Sequence, residues 1–262
     1  MLNQVKQDNP LIHCMTNMVV TTYTANGLLA LGASPVMAYA KEEVGDMAQA
    51  AGALLLNIGT PSNELTEAMI IAGKAANQAG KPVVLDPVGA GATPYRTEIC
   101  QKILSEVDVT IVRGNAGELS ALVGVEGVVK GVDGSSDGDK EAIAKQVALT
   151  FSCVAVLTGE VDVITDGSET YMVSNGHEWL TKVVGTGCLL GGVVAAFAAT
   201  AAKADYVKSS AQAVSYYGVA AEKAYVGSSK DGYGAFGQTF IDQLGALTEE
   251  EALNLQRIET KK

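Results

Sequence analysis

The alternation of short apolar runs with helical stretches constrains the fold of this chain most strongly. The apolar runs have the length of buried β-strands and cover residues 53–59, 82–88, 109–115, 154–160 and 162–167. Helical patterns lie between them, at residues 62–79, 94–106, 116–123 and 139–150. Fully apolar strands separated by amphipathic helices are typical of a parallel sheet that is covered on both faces. The sequence therefore predicts an α/β fold with a mainly parallel central sheet.

The remaining segments indicate one domain over residues 1–262. After Gly187 the pattern is wholly helical, with helices expected at residues 188–201, 206–224 and 233–256. The only linker-like segment is "GVDGSSDGD" (131–139), which is short enough to be a surface loop. We expect no second domain.

Charge and cysteine content exclude several classes of function. The formal net charge is −11 and no cluster of lysine and arginine occurs, so neither nucleic acid nor an anionic membrane is an expected partner. The cysteines Cys14, Cys100, Cys153 and Cys188 are far apart, and the chain has only two histidines, so we expect no zinc site. Such a chain is predicted to be cytoplasmic.

Residues 183–202 carry no charged side chain over about the length of a bilayer span. The segment begins with a glycine-rich hinge and continues with many Ala and Gly residues, whereas membrane spans are rich in larger apolar side chains. We therefore predict a buried helix here and no membrane partner.

Polar side chains follow the apolar runs where each predicted strand ends. Asp86 ends one run, Arg113, Asn115 and Glu118 follow the next, and Thr158 ends another. Ligands of such sheets gather beyond the carboxyl ends of the strands. Two carboxylates, an arginine and a threonine at this edge suit phosphoryl transfer, in which catalysis consists mostly of positioning and charge stabilisation.

The stretch "VVGTGCLLGG" (183–192) reads as the end of a strand, a glycine hinge and the start of an apolar helix. Glycines before a helix let backbone N–H groups approach an anion, and the helix dipole adds positive potential there. Cys188 after this hinge could be a packed thiol, a nucleophile or a proton acceptor. We expect the helix N-terminus to lower its pKa below the free value of ~8.5.

Each of these residues also has a purely structural interpretation. Asp86 before a proline could cap a turn, and Glu118 in the first turn of a helix is favoured by the dipole alone. Arg113 could be a surface charge, and Thr158 could reflect β-propensity. Their joint placement at successive strand ends favours a functional site.

Several motifs resemble those of known kinases. Asn115-x-x-Glu118 resembles the N-x-x-E element of ribokinase-like kinases, and "GTGC" resembles their anion-hole motif with Cys188 in place of the usual aspartate. Residues 13–44 and "VLDPVGAGAT" are similar to segments of hydroxyethylthiazole kinases. The resemblance runs from Leu11 to about Phe240, and cysteine after G-T-G is common in that family.

The resemblance implies a ribokinase-like three-layer α/β/α fold. It implies that ATP phosphorylates the hydroxyl of 4-methyl-5-(2-hydroxyethyl)thiazole, a step of thiamine biosynthesis and salvage. It also implies Mg²⁺ and a homotrimer with active sites between subunits. The residue roles that it implies are catalysis by Cys188, Gly187 and Thr186, thiazole binding by Met37, Gly185 and Asn17, ATP binding by Arg113 and Thr158, and Mg²⁺ binding, direct or through water, by Asp86 and Glu118.

Some alternatives remain open at this point. Met37 could be ordinary core packing, and Asn17 could cap the following helix. A pyrimidine or pyridoxal kinase, or a nucleotide-dependent dehydratase, would share the fold but usually carries Asp at the position of Cys188. A non-enzymatic nucleotide sensor could dispense with Glu118 and the glycine hinge, and both are present. The loop 124–140 matches no motif.

Overall fold

The computed structural model of the protein describes residues 1–124 and 137–261. These residues form one central sheet of nine strands in the order β2-β1-β3-β4-β5-β6-β7-β8-β9, with eleven α-helices around it. The first six strands of this order are parallel, and β7, β8 and β9 are antiparallel. The predicted α/β fold with a mainly parallel sheet is confirmed.

The strands are short, as expected for a sheet of this kind. Their bounds are β1 Leu11–Met15, β2 Ser34–Val36, β3 Ala53–Asn57, β4 Val83–Asp86, β5 Ile111–Asn115, β6 Val154–Thr158, β7 Asp162–Thr165, β8 Thr170–Val173 and β9 Ile258–Lys261.

The helices pack against the two faces of the sheet. Their bounds are α1 Leu2–Asp8, α2 Thr21–Leu31, α3 Val44–Ala50, α4 Asn63–Gln78, α5 Pro94–Glu106, α6 Ala116–Leu122, α7 Asp137–Phe151, α8 Thr186–Ala199, α9 Tyr206–Ser228, α10 Tyr233–Ala246 and α11 Glu249–Leu255. Two short 3₁₀ helices, Glu178–Lys182 and Lys203–Asp205, precede α8 and α9.

The chain beyond Gly187 departs from the expected all-helical pattern. The predicted helix 233–256 is two helices, because Thr248 starts α11 with a capping box to Glu251. Strand β9 then pairs with β8 at the end of the sheet. Of the predicted surface loop 131–139, residues up to 136 lie outside the described part of the chain, and α7 begins at Asp137.

The core has one layer on each side of the sheet. Leu55 of β3 belongs to the layer formed with α8, α9 and α10, whereas Leu54 and Leu56 face the opposite layer with α4 and α5. Helix α8 is almost wholly buried, which confirms the prediction for this apolar segment. A Cβ on Gly191 of α8 would lie 3.0 Å from the Leu55 side chain, so the helix packs closely on the sheet because this residue is small. Among the described helices, none combines the length and apolarity that a membrane span requires.

Candidate active site

Polar residues form a row along the carboxyl edge of the parallel strands. In the order of the strands they are Asn17 after β1, Asn57 of β3, Asp86 of β4, Arg113 of β5 and Thr158 of β6. Neighbouring strands are about 4.8 Å apart, so each side chain lies within reach of the next. The sheet thus brings together the polar strand ends that the sequence singled out.

Asp86 is the most buried charged group of this row, with no exposed surface. Its Oδ2 accepts a hydrogen bond from Asn57 Nδ2 at 2.7 Å and lies 3.7 Å from Arg113 Nη1, whereas its Oδ1 has no hydrogen-bond partner in the described part of the chain. Burial raises the pKa of Asp86 to about 7; Arg113 opposes this shift and the Glu118 carboxylate adds to it. Burial thus outweighs the nearby guanidinium in setting the pKa of this carboxyl group.

Arg113 connects three parts of the edge. Its Nη2 donates to Thr158 Oγ1 at 3.0 Å, and Nη1 approaches Asp86. A Cβ on Gly187 would lie 3.7 Å from the same Nη1, so the guanidinium also faces the glycine hinge. Its buried Nε has no partner within the described residues. This guanidinium is only 12% exposed, which excludes the surface-charge interpretation.

The hinge before α8 presents backbone amides to this space. Gly185 caps α8 with φ +98°, a conformation that favours glycine. The Thr186 hydroxyl donates to the carbonyls of Leu180 and Val183, so this side chain stabilises the hinge. The amides of Gly187 and Cys188 donate no hydrogen bond to any described residue. Two N–H groups at the N-terminus of a 14-residue helix are thus available to an anion.

Cys188 is half-buried, whereas Cys14, Cys100 and Cys153 are buried. Its Sγ accepts a hydrogen bond from Asn17 Nδ2 at 3.4 Å. Burial and the Asp86 carboxylate raise the pKa of the Cys188 thiol, and the opposing effects of Asn57, Asn17 and Arg113 are smaller. The expectation of a lowered pKa was wrong, because it counted the helix N-terminus but not the desolvation and negative charge that the fold adds.

Glu118 forms the capping box of α6. Its Oε2 accepts from the amide of Asn115 and Asn115 Oδ1 accepts from the amide of Glu118, both at 2.9 Å. Its Oε1 also accepts from the amide of Gly89 at 2.9 Å. Glu118 thus has a structural role as a helix cap, and its charge also acts on Asp86.

The carboxylates of the site suit a cation whose remaining ligands are water and substrate phosphates. The described residues contain no cluster of three or more His, Cys, Asp or Glu side chains suited to a metal ion. Asp86 offers a buried carboxylate oxygen without a partner, and Glu118 adds a second carboxylate close by. Mg²⁺ is commonly bound by one or two carboxylates together with water and substrate phosphates, which this pair can provide for.

Met37 lies at the same edge but apart from the polar row. It directly follows β2, three strands from Asp86 in the order β2-β1-β3-β4, or about 14 Å along the edge. A buried His13 on β1 donates from Nε2 to the carbonyl of the next residue, Ala38, at 2.9 Å and so fixes this segment. Strand β2 pairs with β1, the strand that precedes Asn17, so Met37 lies much nearer to the Asn17 end of the row than to Asp86.

Sequence reasoning missed Asn57, which contacts both Asn17 and Asp86. The signal was present, since Asn57 is the polar residue inside the apolar run 53–59. The same feature, a polar side chain where a strand ends, had identified Asp86.

Comparisons with known proteins show which family the sequence matches. The sequence model of the hydroxyethylthiazole kinase family matches residues 2–250. The hydroxyethylthiazole kinase of Halalkalibacterium halodurans is 60% identical over 258 residues, which cover 98% of each chain. The solved structure of the hydroxyethylthiazole kinase protein of Pyrococcus horikoshii has a TM-score of 0.90 and 39% identity, covering 100% of this chain and 97% of that one. A ribokinase-like superfamily protein of Enterococcus faecalis, at 11% identity and a TM-score of 0.64 over 94% of each chain, shares the fold alone.

Proposed function

Since the chain belongs to the hydroxyethylthiazole kinase family, we propose that it transfers the γ-phosphoryl group of ATP to the hydroxyl of 4-methyl-5-(2-hydroxyethyl)thiazole. The observation that carries this proposal is the family match over residues 2–250, and the placement of Arg113 beside the unbonded amides of α8 supports it. The pyrimidine kinase, pyridoxal kinase, dehydratase and sensor alternatives are not favoured, because the family match is specific to thiazole kinases and spans residues 2–250.

The N-terminus of α8 and Arg113 would bind the phosphoryl group that is transferred. The amides of Gly187 and Cys188 and the Arg113 guanidinium face one space and supply hydrogen-bond donors and positive charge. Preorganised donors of this kind stabilise the charge of the transition state, and each can be worth ~10²–10³ in rate. Thr158 holds Arg113 in place and lies at the nucleotide side of the row.

Cys188 lies beside Asn17, where the substrate hydroxyl would approach. Its raised pKa means that the resting residue is a neutral thiol near pH 7. The proton of the hydroxyl leaves late if the transition state is loose, so a base contributes modestly, ~10² in rate. We assign to the thiolate form of Cys188, which increases as the pH rises, the acceptance of this proton, and to Asn17 the orientation of the sulfur and the substrate.

Asp86 and Glu118 would hold Mg²⁺, Asp86 through its unpartnered Oδ1 and Glu118 through water. When bound, the ion neutralises phosphate charge that a protein of net charge −11 would otherwise repel. The protein side chains place two carboxylates near Arg113. The carboxylates would hold the ion, and Arg113 adds positive charge for the nucleotide phosphates.

A homotrimer with shared active sites is supported by one feature of the single chain, an apolar rim beside the site. Met18, Val19 and Val184 are apolar and 79%, 67% and 70% exposed, beside Asn17 and Gly185. Apolar surface at the rim of a site is suited to contact with another subunit. A cytoplasmic location stays a prediction.

The test is ATP consumption by the purified protein, measured with and without the thiazole alcohol. We expect a phosphorylated product at one mole per mole of ADP formed. The matched control substrate is 4-methyl-5-ethylthiazole, which keeps the ring and lacks the hydroxyl and should give no ADP above background. ADP formation that is equal with both thiazoles would contradict the proposed transfer.

A further inference from the structure

Asn57 is a fully buried amide between two parts of the site that have different tasks. Its Nδ2 donates to Asp86 Oδ2 at 2.7 Å. Its Oδ1 accepts from Asn17 Nδ2 at 2.8 Å and from the amide of Gly59 at 3.0 Å. Both the NH₂ group and the oxygen of Asn57 thus bond to neighbouring residues of the site.

The chemistry of these neighbours fixes the orientation of the Asn57 amide. A carboxylate only accepts hydrogen bonds, so the NH₂ group must face Asp86. A backbone amide only donates, so the carbonyl oxygen must face Gly59. Both constraints give the same orientation, and a flipped Asn57 would lose two hydrogen bonds in a buried place.

The orientation of Asn57 in turn fixes Asn17. Because Asn57 presents its oxygen, Asn17 must present its NH₂ group, and the same nitrogen then donates to Cys188 Sγ at 3.4 Å. The other end of the Asn17 amide accepts from the amide of Val19 at 3.2 Å. A Cβ on Gly59 would lie 2.5 Å from Asn17 Nδ2, so this arrangement also depends on the absence of a side chain at residue 59.

We propose that Asn57 is a positioning residue of this kinase: its amide holds the Asn17 N–H group on the Cys188 sulfur and binds Oδ2 of Asp86, which leaves Oδ1 of Asp86 for the ligand. One buried side chain thereby couples the group beside the substrate hydroxyl to the carboxylate beside the phosphates. The proposal rests on the function given above for its catalytic meaning, but the hydrogen-bond network can be tested without turnover.

The first test measures the alkylation rate of Cys188 by iodoacetamide at fixed pH, with no metal and no ATP. Cys188 is the only half-buried cysteine, and the other three are buried, so mass spectrometry can follow it alone. The Asn17 N–H group stabilises the thiolate, which is the reactive form. We expect Asn57→Ala to slow alkylation several-fold, Asn17→Ala to slow it by a similar factor, and the double variant to be no slower than either one.

This non-additivity separates positioning from an effect through Asp86. If Asn57 acted on the sulfur directly, or through the Asp86 charge, Asn57→Ala would change the rate equally with Asn17 present or absent. That outcome, or an unchanged rate in Asn57→Ala, overturns the proposal.

Two further variants guard against misfolding. Gly59→Ala keeps Asn57 but moves the Asn17 amide, so it should also slow alkylation. Asn175→Ala is the matched control, since Asn175 is a buried amide that bonds Ser215, Leu255 and Arg257 away from the site. It should lower the melting temperature and leave the alkylation rate unchanged. Equal effects of Asn57→Ala and Asn175→Ala at matched loss of stability would show a merely structural role for Asn57.

The second test repeats the cycle on kcat for the thiazole alcohol. We expect Asn57→Ala to lower kcat at least ~10-fold and the loss to be non-additive with that of Asn17→Ala. If the alkylation cycle succeeds and no variant, nor the parent protein, phosphorylates the alcohol, the network stands and the proposed substrate fails. If the protein is an active kinase but the effects of Asn57→Ala and Asn17→Ala on alkylation are additive, the positioning role of Asn57 fails and the proposed function stands.

Discussion

The Cys188 thiol is proposed to act as a base although its environment raises its pKa. Its raised pKa predicts that kcat of the parent protein climbs on the alkaline side, where the thiolate forms. Cys188→Asp places a base there that is ionised at lower pH, so that variant should remain active and lose the alkaline climb. Cys188→Ala should be impaired by ~10² but measurable. Profiles of kcat between about pH 6 and pH 10 check this, and an unchanged alkaline limb in Cys188→Asp would exclude Cys188 as the proton acceptor.

Gly187 is a residue where a change should affect the ligand more than the fold. A Cβ there would lie 3.7 Å from Arg113 Nη1, an ordinary contact in the free protein. Gly187→Ala should therefore keep the melting temperature and weaken ATP binding, and Gly187→Val should nearly abolish activity, because both occupy the space before the free amides. Calorimetric titration with ATP measures the effect. Gly45→Ala, also on a helix and with free space for a Cβ, is the control and should bind ATP normally.

Glu118 combines a helix cap with a proposed metal contact, and one substitution separates the two. Glu118→Gln keeps the shape but can accept only one of the two backbone hydrogen bonds through an oxygen. We expect a stability loss of about 1 kcal/mol and a much larger loss of turnover. Binding of the uncharged thiazole without ATP should be nearly unchanged in calorimetry. A loss of thiazole binding under those conditions would contradict a role in holding the metal.

At the scale of elements, strand β9 covers the edge of β8 at the end of the sheet away from the site. A chain that ends at Arg257 should lose this pairing and expose the backbone groups of β8. We expect a lower melting temperature and more association at high concentration, with kcat unchanged at low temperature. If the truncated protein is folded and its kcat is lower than that of the full chain, β9 affects the catalytic edge.

The elements differ in how well the sequence predicts them, and burial explains the difference. Strands β3, β4, β5 and β6 are buried along nearly their whole length and read as apolar runs. Strand β2 has three residues including a proline, and β9 is mostly exposed and polar, so neither has a pattern of its own. They form because a neighbour offers an unpaired edge, which no local pattern records.

The site follows the same division. Asp86, Arg113 and Thr158 were predictable because each is a polar side chain at the end of an apolar strand. The direction of the Cys188 pKa was not, because it depends on how closely Asp86 and the core approach the sulfur. The hydrogen bonds of the Thr186 hydroxyl were not predictable either, since only the fold shows that it binds two carbonyls of its own hinge, and its catalytic role stays a prediction.

At the scale of the whole molecule, the proposed shared site predicts both a mass and a complementation result. Light scattering should give about three chains per particle. Met37→Ala and Cys188→Ala should each lower activity, and mixed trimers of the two should regain part of it, because one interface then contains both intact residues. Mixtures prepared without unfolding and reassembly are the control and should stay low. A fully active monomer would rule out the shared site.

The row of strand ends also defines a length for inhibitors. From Asn17 after β1 to Thr158 of β6 the order β1-β3-β4-β5-β6 spans four strand spacings, or about 19 Å. A bisubstrate compound that joins the thiazole ethyl group to adenosine through a polyphosphate chain would lie along this row. Its affinity should peak at the number of phosphates whose extended length fits the span. A series of such compounds would therefore measure the length of the catalytic edge in steps of one phosphate.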